Sequence, residues 1–252
     1  MQGRRSALAA GVVVALLAGA PMVAFAQPRA VVELFTSQGC SSCPAADKLL
    51  SDFTADGSIV ALSLPIDYWD YLGWRDTLAR PRHTARQRNY SAVRGDRQVY
   101  TPQVVVNGSA QALGSDRSAI EAAITNTQHG KRLPVMVAVT PNGSGLDVAV
   151  SENAAAPAGE VWLCGIAKAI KVAIGRGENR GHTFTYHNVV RRWIKLGEWH
   201  GTSKTWNVPR SDVEGDQIDA VAVLVQGSAA KGPGPMLGAT IAPLQKVALS
   251  GQ

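Results

Sequence analysis

The first part of the chain pairs two short apolar runs with an intervening segment of helical periodicity. Residues 30–37, AVVELFTS, and residues 58–66, SIVALSLPI, are rich in residues that favour strands. Between them the apolar positions recur at the spacing of one helix face: Ala46, Leu49, Leu50 and Phe53. The pattern therefore predicts strand, helix and strand in succession.

The next segments continue this alternation as far as residue 130. Residues 76–93 are polar and predict a helix beyond Pro81, and residues 103–114 predict two strands. The dipeptide Asn107-Gly108 favours a tight hairpin between those strands. A further helix follows, with apolar positions on one face, so the predicted order is βαβαββα.

From about residue 133 the pattern changes to short alternating or apolar runs separated by turns. Strands at such near-regular spacing are typical of an antiparallel β-sandwich. We therefore predict an α/β domain at 27–130 and a β-rich, sandwich-like C-terminal domain at 131–252.

The N-terminal residues 1–26 have the composition of an export signal. Arg4 and Arg5 precede a long apolar run, and the small residues Ala24 and Ala26 end it. This arrangement predicts a secretory signal peptide, and hence a periplasmic or secreted protein. No later stretch approaches the roughly 18 uninterrupted apolar residues of a membrane span, so we expect no transmembrane segment in the mature chain.

The net charge argues against nucleic acid as a partner. The chain of 252 residues carries a formal charge of +6 at pH 7, which is modest for its length. No run of basic residues interleaved with aromatic ones accompanies it. We interpret the excess as solvated surface.

Three cysteines raise the question of chemistry, and two of them form the sequence CSSC at Cys40 and Cys43. A disulfide between them closes too short a loop to stabilise the fold strongly. At a helix N-terminus, however, the helix dipole favours a thiolate at Cys40. Cys40 is then the attacking thiol, and Cys43 resolves the mixed disulfide. Cys164, in an apolar run, is expected to be a buried hydrophobic residue.

The CSSC motif, the element order and the segment YTPQVVVNG together resemble the thioredoxin superfamily. That resemblance implies a thioredoxin-like domain in which the Thr101–Pro102 bond is cis and faces the cysteines, where it helps to dock an extended substrate. It also implies that Glu33, on the first strand, assists proton transfer from the second cysteine. A buried, salt-bridged structural role for Glu33 is the alternative.

The segment IDYWDYLGWRD follows the second predicted strand and is rich in aromatic residues. Loops at this edge of such a sheet lie beside the strand-to-helix site. Tyr68, Trp69 and Trp74 are therefore candidate substrate-binding residues. The alternative is an aromatic plug that anchors the next helix.

A second distinctive segment, residues 175–193, lies in the β-rich half. Its three glycines lack the Lys-Ser/Thr of a phosphate loop, so nucleotide binding is disfavoured. Arg176, Glu178 and Arg180 are expected to form an ion-paired turn, and His187 to make an interdomain contact. Together with the earlier motifs, this segment is similar to a family of exported proteins, domain of unknown function 1223, which implies the same architecture and no established substrate.

The leading functional hypothesis is an exported thiol–disulfide oxidoreductase acting on protein thiols or disulfides, without a cofactor. One alternative is a binding or scaffold protein on a thioredoxin-like fold. The other is a module for a soft metal such as Cu(I), with a histidine completing the thiolate pair. Because no second CxxC or HxxxH spacing is present, no dedicated metal site is predicted.

Overall fold

The computed structural model describes residues 27–128, 131–230 and 232–244. The predicted signal peptide, residues 1–26, lies outside the described residues. The predicted order of elements up to residue 128 is confirmed. These elements are β1 (Ala30–Thr36), α1 (Cys43–Thr54), β2 (Ile59–Pro65), α2 (Pro81–Arg94), β3 (Gln103–Val106), β4 (Ala110–Leu113) and α3 (Arg117–Gln128).

The second half consists mainly of strands, as its alternating pattern predicted. Two of them, β7 and β8, are much longer than the rest and form one hairpin. The elements are β5 (Val137–Asn142), β6 (Gly145–Val150), β7 (Gly159–Ala173), β8 (Thr183–Trp199), β9 (Lys204–Pro209), the short helix α4 (Arg210–Val213), β10 (Ala220–Ala229) and β11 (Gly232–Pro243).

The strands form a large mixed sheet and a separate antiparallel sheet. The large sheet has eight strands in the order β11-β10-β7-β8-β2-β1-β3-β4, and the small one has the order β5-β6-β9. Four strands from the second half thus extend the sheet of the first half. The protein is a mixed α/β protein, and the domain boundary at 130/131 stays a prediction.

The two halves of the large sheet meet where β2 lies beside β8. The strands are parallel there, with Ser63 opposite Val189. The buried side chain of Asn188, whose φ is +46°, donates from Nδ2 to the carbonyl of Ala61 at 3.0 Å. This bond satisfies a backbone acceptor that the short ladder leaves open.

Strand β1 is buried on both faces, and its alternate residues belong to different cores. Val32 and Leu34 pack with residues of α1 and α3, whereas Val31 and Phe35 pack in the cluster that contains Tyr90 of α2. Near-continuous apolar sequence is what burial on both faces requires. The face that carries Val32 and Leu34 therefore positions α1, the helix that begins at Cys43.

The small sheet covers the other half of the large sheet. Val148 of β6 packs in one cluster with Val161 of β7 and Val223 of β10. No helix in the described part of the chain has both the length and the apolar character needed to cross a membrane.

Candidate active site at the Cys40–Cys43 pair

Cys40 and Cys43 form a disulfide where β1 leads into α1, as their spacing predicted. Their Cα atoms are 5.4 Å apart, which is within the usual range for a disulfide. Helix α1 begins at Cys43, so Cys40 lies in the loop just before the first turn. Pro44 is tolerated in that turn because its missing N–H would have no helical acceptor.

The two sulfur-bearing residues differ slightly in exposure. Cys40 is 5 % exposed and Cys43 is completely buried, which is the predicted order. The hydroxyl oxygen of Ser42 lies 3.4 Å from Cys40 Sγ. Although Cys40 is the outer cysteine, little of its surface is open to a partner.

The Thr101–Pro102 bond is cis, as predicted, and it lies close to the cysteine helix. Gly114 shows this proximity, because a Cβ there would lie 2.9 Å from Cβ of Pro102 and 3.0 Å from Cβ of Ala46. Only a residue without a side chain leaves room for Pro102 beside the first turns of α1.

Trp69 connects Thr101 to the loop between β1 and α1, residues 37–42, which we call the cysteine loop. Its indole Nε1 donates to Oγ1 of Thr101 at 2.7 Å, and its Cβ would lie 3.5 Å from a Cβ placed on Gly39. Tyr71, which is 76 % exposed, stacks on the Trp69 ring with centroids 6.2 Å apart. Trp69 and Tyr71 thus form an aromatic rim next to Gly39, the residue that precedes Cys40.

The other two candidate aromatic residues are placed differently. Trp74 donates from Nε1 to Oε1 of Gln38 at 2.8 Å, so it is bound to a side chain of the cysteine loop. Tyr68 packs against the core beneath, and this burial raises the pKa of its hydroxyl to about 12. Tyr68 therefore fits the aromatic-plug alternative better than a substrate contact.

Glu33 is not brought to the cysteines, which corrects the role inferred for it. It lies on the α2 face of β1, where Arg86 Nε donates to Oε1 at 2.6 Å and the Tyr90 hydroxyl donates to Oε2 at 2.5 Å. Its neighbours Val32 and Leu34 point instead to the face of α1. Because side chains alternate along a strand, Glu33 cannot reach that face. It has the buried, salt-bridged role that was the alternative.

Asp47 is a buried acid on α1 itself, the helix that begins at Cys43, and sequence reasoning missed it. It follows Cys43 by four residues, which places the two side chains on the same helix face. Thr36 Oγ1 donates to its Oδ2 at 3.1 Å, while its Oδ1 has no hydrogen-bond partner in the described residues. The signal was available, because the position falls on the apolar stripe of α1.

The environment of Asp47 favours its protonated form. Burial raises its pKa to about 8, the negative charge of Asp76 adds to the increase, and the bond from Thr36 opposes it. Burial also raises the pKa of Asp76 to about 6, although that carboxylate accepts the N–H groups of Gln38, Leu78 and Ala79. At neutral pH, Asp47 therefore holds a proton one helical turn from Cys43.

The loop between β7 and β8, residues 174–182, covers the cysteine loop, and we call it the cover loop. Asn179 Nδ2 donates to the carbonyls of Gln38 and Cys40, both at 2.9 Å, and the N–H of Ser41 donates to Oε2 of Glu178 at 3.2 Å. Glu178 thus binds the cysteine loop, where the sequence had predicted an ion-paired turn with arginines.

The remaining cysteine and histidine candidates lie elsewhere. Cys164 is completely buried in β7, and burial raises the pKa of its thiol. His187 lines a cavity of about 420 Å³ that residues of both halves border, among them Thr54 and Gly57, and its interdomain contact stays a prediction. Within residues 27–128, 131–230 and 232–244, no group of three or more His, Cys, Asp or Glu side chains is arranged to hold a metal ion.

The fold and this site define a mixed α/β protein with a CxxC disulfide at the start of a helix. A model of the family described as "Protein of unknown function (DUF1223)" matches residues 31–226. The chain therefore belongs to that family. No curated protein matches the chain.

Two solved structures are similar to this chain. The first is the crystal structure of a structural-genomics target protein from Agrobacterium tumefaciens, with a TM-score of 0.79 and 31% identity, covering 90% of this chain and 99% of that one. The second is HBP35 of Porphyromonas gingivalis, with a TM-score of 0.56 and 12% identity, covering 86% of this chain and 76% of that one. The second likeness concerns the fold alone.

Proposed function

We propose that this protein is an exported thiol–disulfide oxidoreductase whose first half is a thioredoxin-like domain. The observation that carries the proposal is the Cys40–Cys43 disulfide at the start of α1, with cis Pro102 packed beside the same helix. The βαβαββα order supports the thioredoxin-like assignment, and the signal-like sequence at residues 1–26 supports export.

In the oxidising direction, a thiolate of the partner attacks Sγ of Cys40. The Cys40–Cys43 bond breaks, Cys43 leaves as a thiolate, and a mixed disulfide joins Cys40 to the partner. A second partner thiolate then attacks the partner sulfur of that mixed disulfide and releases Cys40. The partner loses two electrons and gains a disulfide, and the protein becomes the dithiol.

Asp47 supplies the proton that this exchange requires. In its protonated form it neutralises the leaving thiolate of Cys43, and as a carboxylate it removes that proton in the reverse reaction. Its raised pKa, about 8, is close to the ordinary value of a thiol, and such matching favours proton transfer in both directions. The assignment replaces Glu33 with a residue on the cysteine helix itself.

The partner is proposed to be a polypeptide that docks across the surface formed by Trp69, Tyr71 and Thr101. Trp69 and the exposed Tyr71 provide apolar area, and aromatic residues commonly anchor protein interfaces. The Thr101 backbone would pair with an extended segment of the partner, which brings a partner cysteine to Cys40.

The decisive experiment traps the mixed disulfide. In the Cys43→Ser variant, expressed with its export signal, the Cys40 thiolate attacks a partner disulfide and one partner sulfur leaves as a thiolate. Because Cys43 is not there to resolve it, the mixed disulfide should persist until dithiothreitol releases the partner. The double variant Cys40→Ser/Cys43→Ser is the matched control and should retain no partner. The Cys164→Ala change in the Cys43→Ser background should leave the adducts unaltered, because Cys164 is buried in β7. Absence of reducible adducts on Cys43→Ser would reject the oxidoreductase proposal.

A further inference from the structure

The cover loop is built to lie against the cysteine loop. Its ends are joined by backbone bonds between Ile174 and residues 181 and 182, at 2.8 and 2.9 Å. Gly175 and Gly177 lie against Trp74, because a Cβ on them would be 3.2 and 3.3 Å from atoms of that residue. Gly177 also has φ +78°, which favours glycine. The backbone of the cover loop therefore packs closely against Trp74.

Two side chains at the tip of the cover loop bind the cysteine loop directly. Asn179 is buried, and its Nδ2 donates two hydrogen bonds, to the backbone carbonyls of Gln38 and Cys40 on either side of Gly39. Glu178 accepts the N–H of Ser41, the residue that follows Cys40. These contacts join segments that are far apart in the chain, so the local sequence of neither segment requires them.

From this arrangement we infer that Asn179 and Glu178 are positioning residues that restrict access to Cys40 and favour the disulfide over the dithiol. The inference rests on the proposed function and extends it to the equilibrium between the disulfide and the dithiol of Cys40 and Cys43. Access depends on Asn179, because its two bonds hold the cover loop against the backbone on both sides of Gly39, next to Cys40, a residue that is only 5 % exposed. The loop must move before a nucleophile reaches Cys40.

The preference for the disulfide depends on the charge of Glu178. Backbone N–H groups near a helix N-terminus normally stabilise a thiolate at the first cysteine. Here the carboxylate of Glu178 takes the N–H of Ser41 and places a negative charge beside Cys40. A disulfide is uncharged and a thiolate is not, so this charge disfavours the reduced form. The other charged or titratable residues on the packed elements are Arg176, Arg180 and His182 of the cover loop, Asp47, Lys48 and Asp52 of α1, and Arg75 and Asp76 next to Trp74.

The access step is tested by the rate at which dithiothreitol reduces the purified disulfide. Asn179→Ala should increase the second-order rate constant about tenfold, the effect expected from two lost hydrogen bonds. Asn179→Asp, which keeps the shape but replaces the amide donor with an oxygen, should also accelerate reduction. Thr183→Ala, at the foot of the same loop, is the control and should react like the wild type. Wild-type rates in both Asn179 variants would overturn the access role.

The charge is tested by the equilibrium between the disulfide and glutathione. Glu178→Gln should shift the equilibrium constant towards the dithiol by about threefold to tenfold, where tenfold corresponds to about 30 mV. Glu152→Gln removes an exposed carboxylate elsewhere and should leave the constant unchanged. An unchanged constant in Glu178→Gln would overturn the electrostatic role. Both assays use small thiols, so they report on this inference even if the trapping experiment finds no protein partner.

Discussion

Two buried acids lie on opposite faces of the same part of the large sheet, and only one of them has a compensating cation. Glu33 is completely buried against α2 and pairs with Arg86 at 2.6 Å. Asp47 is a buried residue of α1, the helix that begins at Cys43; it has one hydrogen bond, from Thr36, and no ion pair in the described residues. A paired carboxylate contributes to structure, whereas an uncompensated one holds a proton that chemistry can use.

The Glu33 face also shows why a charge at a plausible position is weak support for catalysis. Arg86 donates to Glu33, to the Tyr90 hydroxyl and to Oε1 of Gln226, so it joins β1, α2 and β10. Its guanidinium also lies 4.7 Å from the ring centroid of Trp193. This polar cluster connects both halves of the chain.

The contrast between Glu33 and Asp47 is tested most strongly by removing Arg86, the cation that pairs with Glu33. Arg86→Met should lower the free energy of unfolding by about 3–5 kcal/mol, because Glu33 would stay buried without its partner. Urea unfolding at pH 7 measures the change. The double variant Glu33→Gln/Arg86→Met should recover much of the loss. If the double variant is as unstable as Arg86→Met, the cost arises from packing and the proposed contrast in charge is wrong.

The second prediction concerns the acid on the other face. Asp47→Asn should slow resolution of a mixed disulfide by Cys43 by roughly 10²-fold, the lower end of general acid–base effects. Stopped-flow measurement with a peptide disulfide follows this step. The double variant Glu33→Gln/Arg86→Met should keep the wild-type rate, because its charges lie on the α2 face. Equal rates in Asp47→Asn and wild type would remove Asp47 from the mechanism.

The smallest predicted effect is a slope of stability with pH. The folded chain retains the Asp47 proton up to about pH 8, whereas the unfolded chain releases it near the ordinary value of 3.8. Asp47 therefore stabilises the fold fully below about pH 4, and this contribution is lost as the pH rises towards 8. Asp76 acts with the same sign, up to about pH 6.

The window from pH 6.5 to 8 isolates Asp47. Buried His83 has its pKa lowered to about 3, so its effect on stability occurs below its ordinary pKa of 6.5. Thermal unfolding of the wild type should show declining stability across the window, and Asp47→Asn should flatten that decline. A wild-type curve that is level or rises from pH 6.5 to 8 would show that Asp47 is ionised in the fold.

Local sequence determined the elements around the cysteines. The apolar spacing in α1 and the runs in β1 and β2 depend on side-chain periods within one segment, so a helix starting close to the two cysteines, and their disulfide, could be predicted. The hairpin turn at Asn107 and Gly108, both with positive φ, follows from the same local chemistry. Asp47 lay within reach of this reasoning, because its position on α1 marks it as buried.

Only the tertiary structure decided which charged side chains from other segments lie beside the Cys40–Cys43 pair. Alternation along β1 separates Glu33 from Leu34, but packing of α1 and α2 on opposite faces determines which residue lies beside the cysteines. Glu178 meets Ser41 across a separation of 137 residues. No local period encodes such a contact, because it depends on β8 pairing with β2 and on the length of the β7–β8 hairpin. Sequence therefore determined the disulfide, its helix and the position of Asp47 on that helix, whereas tertiary packing separated Glu33 from the site and placed the cover loop against the cysteine loop.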